Sequence, residues 1–194
     1  MNQVDPDWRP IAFKEWQLVT EALVRGEQSV ILRKGGISEG KAGFQWLHDR
    51  FFLFPSRFHQ QVEQVNTHVD GSKRELLDRG ETGDDIVLSV FIETINTGRI
   101  TDWESVQHLD PYHIWKEEVI RDRFEWGDEP GVSYAVVKAF AIDDPWILND
   151  REAFGGCRSW LDLPPDESGG WRERLEGARP IEASCGIPDE LNKV

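Results

Sequence analysis

SYAVVKAFAI, residues 133–142, reads as a strand: Tyr134, Val136, Lys138, Phe140 and Ile142 fall on one face, and Ser133, Ala135, Val137, Ala139 and Ala141 on the other. The small-residue face leaves room for a helix to pack close. IVLSVFIETI, residues 86–95, is a second long strand, and alternation puts Ile86, Leu88, Val90 and Ile92 on one face. Shorter runs join these two. Val30-Ile31-Leu32 lies within a strand over 28–34, and the aromatic strand Phe51–Phe54 is stopped by Pro55. Trp146–Leu148 and Arg158–Leu161 complete the set.

Between the strands the spacing predicts helices. Ala12, Trp16, Val19 and Leu23 recur at helical intervals over 11–25, ended by Gly26. Ser56 is placed to cap a helix carrying Phe58, Val62, Val65 and Val69. Ser72 with Glu75, and Thr101 with Glu104, have capping-box spacing for two short helices, the first carrying Leu76 and Leu77. Asp110-Pro111 starts a helix reaching Phe124, and 171–176 holds a last one. Helices and strands mixed without a βαβ rhythm give an α+β single domain. Its sheet is expected to be largely antiparallel or mixed, curled toward a barrel and flanked by helices. After Pro164 the chain turns Pro-, Gly- and acid-rich, so residues 164–194 are expected to form a loosely held tail.

With 194 residues and nine Trp, the chain has ample material for one core. Its formal charge of −14 excludes a wholesale electrostatic grip on nucleic acid or anionic lipid. The acidity is uneven: residues 23–60 carry +3, while residues 81–130 carry −9. There is no apolar run long enough to span a membrane and no basic-then-apolar leader, so a cytoplasmic protein is expected. Cys157 and Cys185 form no CxxC and read as one core residue and one tail thiol.

Several segments carry a family likeness. FKEWQLVTEALVRGEQSVILRKGGISE (13–39), RFFLFPSRFHQ (50–60), LDPYHIWKEEVIRDRF (109–124) and GGCRSWLDL (155–163) together resemble the bacterial domain-of-unknown-function family 1802. The resemblance covers most of residues 11–163, which are expected to form the family domain. Through members that look to occur with restriction-endonuclease-type domains, the resemblance implies a restriction or nucleic-acid-defence setting.

Four clusters are candidates for ligand binding. Arg33-Lys34-Gly35-Gly36 sets two cations before glycines that let backbone N–H groups approach an anion. It lacks the Gly-Lys-Ser/Thr ending of a nucleotide-hydrolase loop. Arg57, His59 and Gln60 sit where a strand hands over to a helix, a corner suited to an anion or a base edge. His113 and Trp115 are followed by Glu117 and Glu118, but HIWKE has no metal-helix spacing, and no metal site is expected. Arg158 and Trp160 would place a cation and an indole on one strand face. Glu39-Gly40-Lys41 has the letters of a nuclease strand but sits among glycines. The sequence points to no cofactor. A non-catalytic module recognising nucleic acid or another anionic, nucleotide-like ligand is the favoured reading. A small-molecule enzyme using His59 or His113 as acid/base, and an acidic accessory that meets a basic partner, are the rivals.

Overall fold

The computed structural model describes residues 8–34, 44–57, 61–67, 69, 71, 74, 77, 85–149, 154–156, 158–164, 170–189 and 191. Its centre is one seven-stranded mixed sheet: β1 (Ile11–Trp16), β2 (Val30–Arg33), β3 (Arg50–Ser56), β4 (Ile86–Ile100), β5 (Val132–Leu148), β6 (Trp160–Asp162) and β7 (Arg179–Pro180). The order is β2-β5-β4-β3-β1-β6, with β7 also on β5, and the sheet is not closed into a barrel. Only β1 and β3 run parallel; the other pairings are antiparallel. The described helices α1 (Gln17–Val24), α2 (Trp103–Gln107), α3 (Glu117–Glu125) and α4 (Trp171–Glu176) flank it.

Both faces of the central strands are buried, which is why they read as continuous apolar runs. Phe13, Phe51 and Leu53 join the core under α1, α2 and α3, while Ala12, Phe52 and Phe54 join a second core under α4. On β4 the pairing slips between Leu88 and Val90. There the single residue Ser89 stands opposite four residues of β5, 142–145, and the faces change across the slip: Leu88 packs with Phe91 in the second core and Val90 with Ile92 in the first. The single apolar face expected over Ile86–Ile92 is therefore split. β5 runs on through Pro145, so Trp146–Leu148 is its end rather than a separate strand.

Three helices expected from spacing are rebuilt. Residues 11–16 are strand β1, not helix: Ile11, Ala12, Phe13 and Glu15 are all buried, so no strand alternation shows in the sequence. The strand Phe51–Phe54 continues through Pro55, which pairs with Glu15 of β1 beyond the last β4 partner at Phe52, so its missing N–H costs no ladder bond there. In place of a helix capped by Ser56 there is a 3-10 turn at Gln61–Gln64; Phe58 lies outside the described residues. Asp110-Pro111 opens only a 3-10 turn, Asp110–Tyr112, after which His113–Trp115 is extended and bridges Val65. The cap of α2 is Asp102, one residue after Thr101, accepting from the Ser105 N–H at 2.8 Å. Of the short helix expected after Ser72, only Gly71, Arg74 and Leu77 are described, with Leu77 buried.

Helix α1 does end at Gly26, whose φ is +70°. A Cβ there would lie 2.3 Å from the Glu182 carbonyl oxygen, so only glycine fits. The described part of the stretch after Pro164 is tied to the sheet rather than loose. Trp171 and Leu175 are buried, Ile181 N–H donates to Ala139, Ser184 N–H donates to Gly26, and the Asn96 amide donates to Leu191. No described helix is long and apolar enough to cross a membrane.

Candidate anion-binding site at the end of β1

Strand β1 ends on Glu15 and Trp16, and Arg33, Ser56, Gln61 and Trp115 lie near that end. Glu15 is almost fully buried. One of its oxygens accepts the Trp16 N–H at 2.7 Å, and the other lies 3.4 Å from Arg33 Nη2. Arg33 also donates to the Lys14 carbonyl, and its guanidinium carbon stands 4.7 Å from the centre of the Phe13 ring. From α3, Arg123 reaches the same place. Its guanidinium lies 3.8 Å from the Trp115 ring centre and 5.5 Å from that of Trp16; the two indoles meet edge-on at 4.5 Å.

The Arg33 guanidinium pairs with the Glu15 carboxylate, and Arg123 stands near enough to feel the charge of both. Arg33 Nε and Arg123 Nη1 are shut off from solvent and have no hydrogen-bond partner among the described residues. Burial, together with the charge of Arg33, pushes the Arg123 guanidinium down to about 10, and Glu15 offsets only part of that. A guanidinium presents five N–H donors in a rigid fork, and unused buried donors are costly. The stacked rings hold both forks in fixed planes, leaving a preorganised cationic corner.

The frame of this corner is also made of the motif segments. Ser56 Oγ donates to the Glu15 carbonyl at 3.2 Å. Gln61, fully buried, donates to the Ser56 carbonyl at 2.7 Å and accepts the Leu18 N–H at 3.2 Å. It therefore caps α1, which has no cap of its own. Gln61→Leu is expected to lower stability by about 1–3 kcal/mol by stranding both partners, with a matching fall in the urea midpoint; an unchanged midpoint would show the cap is dispensable. The HIW segment is clamped by Gln28, which accepts the Ile114 N–H, and by the Gln64 and Asn66 backbones.

The sequence-predicted residues fall into four groups. Arg33 and Trp115 are in the corner, and Arg57 follows Ser56 at the same end of the sheet. Lys34 is beside it, but its ammonium donates to the carbonyls of Phe124, Glu129 and Gly131, anchoring the C-terminus of α3; burial and Arg99 lower its pKa. Trp160 packs on Phe13 at 4.7 Å within an aromatic cluster with Phe44, Trp46 and Phe51, one ring away from Arg33. Arg158 precedes β6, so strand alternation does not pair it with Trp160. Gly35, Gly36, His59, Gln60 and the Glu39-Gly40-Lys41 tripeptide lie outside the described residues. Glu15, Trp16 and Arg123 were not anticipated. The available signal for Arg123 was its place four residues after Val119 and three after Ile120, on the flank of the buried stripe of α3.

His113 occupies the other side of the HIW segment. It is 8% exposed, its Nδ1 accepts the Trp115 N–H at 3.2 Å, and it lines a cavity with Asp110 and Glu117. Burial pulls the imidazole down to about 4, with Asp110 opposing and Arg123 reinforcing the shift. At neutral pH it is uncharged. No group of three metal-ligating side chains is assembled among the described residues.

A family model described as Domain of unknown function (DUF1802) matches residues 12–174. No curated protein matches the chain. Among solved structures, a single-residue variant of ASCH from Zymomonas mobilis is 13% identical, with a TM-score of 0.49 over 89% of this chain and 95% of that one. The crystal structure titled ASCH from Zymomonas mobilis is likewise 13% identical, with a TM-score of 0.48 over 90% of this chain and 97% of that one.

Proposed function

The chain belongs to the DUF1802 family, and from this premise we propose that it is a non-catalytic recognition module for nucleic acid or a nucleotide-like anion, gripping a phosphate group between Arg33 and Arg123. The observation that carries this reading is a pair of neighbouring, half-buried guanidinium groups with a single buried carboxylate beside them, one nitrogen of each having no hydrogen-bond partner among the described residues. A partly desolvated surplus of positive charge is expensive. A ligand oxyanion would both neutralise it and take up the spare donors through charge-assisted hydrogen bonds.

The basic window of residues 23–60 supports the same reading, since Arg33 belongs to it and the rest of the surface is acidic. So does Arg57, which leaves β3 beside Trp16. An acidic protein with one cationic corner binds a few phosphates selectively and does not coat a polyanion. A cytoplasmic setting, with the restriction-linked context implied by the family resemblance, suits such a module. The rival role for His113 is disfavoured on two counts: burial keeps the imidazole uncharged at pH 7, so it has no proton to give as an acid, and its Nδ1 already accepts the Trp115 N–H.

Fluorescence anisotropy with labelled single-stranded DNA, single-stranded RNA and duplexes, from low to physiological salt, tests the proposal. Binding is expected to weaken with salt along a shallow slope, about −1 to −2 in log–log form, as for one or two phosphates. Arg33→Met is expected to lose about tenfold or more in affinity, while Arg9→Ala, an exposed charge away from the corner, is expected to bind as the natural protein does. An absence of binding to every probe at the lowest salt would overturn it.

A further inference from the structure

A second concave feature lies next to the cationic corner. Between α2 and α3 is a cavity of about 250 Å³, walled by Val106, Ile120 and Trp103 and edged by Gln107, Asp110 and His113. That volume is below the range for drug-sized ligands, so it suits one ring system rather than a whole nucleotide. Trp103 is a fixed wall: the Arg121 guanidinium sits 4.2 Å from its ring centre and Phe124 packs at 5.4 Å.

The polar edge has a definite pattern. His113 is more than nine-tenths buried, and its Nδ1 is occupied by the Trp115 N–H. That bond places the proton of the neutral imidazole on Nε2, a donor on a side chain that lines the cavity. Asp110 supplies an acceptor, while the Gln107 amide offers one donor face and one acceptor face. Glu117 adds a second carboxylate to this edge, so a ring that offers an acceptor to His113 and an amine to Asp110 or Glu117 matches it.

We propose that this cavity is a base subsite, taking a nucleobase with an exocyclic amine next to a ring acceptor, such as adenine or cytosine. Uracil, which presents an imide N–H between two carbonyls, matches the edge less well. The inference rests on the nucleotide-recognition reading but uses different residues. His113 and Trp115 are two positions apart on one extended segment, so base and phosphate would be held on neighbouring parts of the same strand.

The test uses nucleosides, which carry no phosphate. Adenosine, cytidine and uridine are titrated into the full chain to about 5 mM, and the Trp103 indole N–H resonance, assigned through Trp103→Phe, is followed by NMR. Saturable shifts are expected with adenosine and cytidine, about fivefold weaker with uridine, and about tenfold weaker for adenosine in His113→Asn and Gln107→Leu. The two variants act on different elements, and their spectra report whether each is folded. Arg9→Ala, an exposed charge away from both sites, is expected to bind nucleosides as the natural protein does. Absence of a saturable shift with every nucleoside, or equal affinity in the folded His113→Asn and Gln107→Leu proteins, would overturn the base subsite. Nucleoside binding by a protein that binds no oligonucleotide would keep the subsite and remove the phosphate corner.

Discussion

Glu15→Gln is expected to destabilise the protein by about 3–5 kcal/mol, the usual cost of removing one partner from a buried ion pair. The amide keeps the size of the side chain and an oxygen to accept the Trp16 N–H, so what disappears is the charge. Arg33 and Arg123 would then be left as neighbouring charges beside a neutral side chain that is 1% exposed. Against a total stability of about 5–15 kcal/mol, this brings the chain close to unfolding at ambient temperature. Urea denaturation at pH 7 measures it. A loss under about 1 kcal/mol would mean that the two guanidinium charges do not depend on Glu15.

The second large effect is a pH dependence centred on His113. Its pKa falls from 6.5 to about 4 on folding, because burial disfavours the imidazolium. Above pH 6.5 both folded and unfolded forms are neutral and the group costs nothing. Between 6.5 and 4 the unfolded chain takes up a proton that the folded chain refuses, so stability falls as pH falls, by about 3 kcal/mol in all. Below pH 4 both forms are protonated and the decline from this group levels off. His113→Asn retains an acceptor for the Trp115 N–H but does not titrate, so its stability should change by about 3 kcal/mol less across that window. Denaturation at pH 7, 5.5 and 4.5 separates the two; parallel curves would contradict the burial of an uncharged imidazole.

The sheet was legible where burial is one-sided or where apolar residues run on without a break. β2, the aromatic part of β3, and the body of β4 and β5 all fall where alternation or apolar runs put them. β1 was not, because Ala12 and Trp16 happen to continue the helical spacing of Val19 and Leu23 while Ile11–Phe13 is buried on both sides. Spacing also hid the break at His113: Asp110-Pro111 is a sound helix start, but the Val65 bridge and the Gln28 side chain pull the next residues out straight. A β-bulge leaves no local mark in IVLSVFIETI, so the change of face after Leu88 needed coordinates.

Half of the cationic corner was readable. Arg33 and Trp115 lie in segments whose neighbours, a strand end and a helix start, single them out. Glu15 and Arg123 do not, since a charged residue in an amphipathic stretch is ordinarily solvated. Their burial arises from long-range packing, β1 against β3 on one side and α3 against Trp16 and Trp115 on the other.

The central claim is that Arg123 is held against Trp16 and Trp115 for a ligand and not for the fold. Arg123→Met keeps the stem packed between Trp16 and Trp115 and leaves Glu15 and Arg33 as a balanced pair. Stability by urea denaturation and oligonucleotide affinity by anisotropy, measured on this one variant, test the claim most directly. The account predicts stability unchanged or raised by up to about 2 kcal/mol, together with an affinity loss of about tenfold or more. A stability loss above about 2 kcal/mol with affinity intact would contradict it and make Arg123 a structural residue.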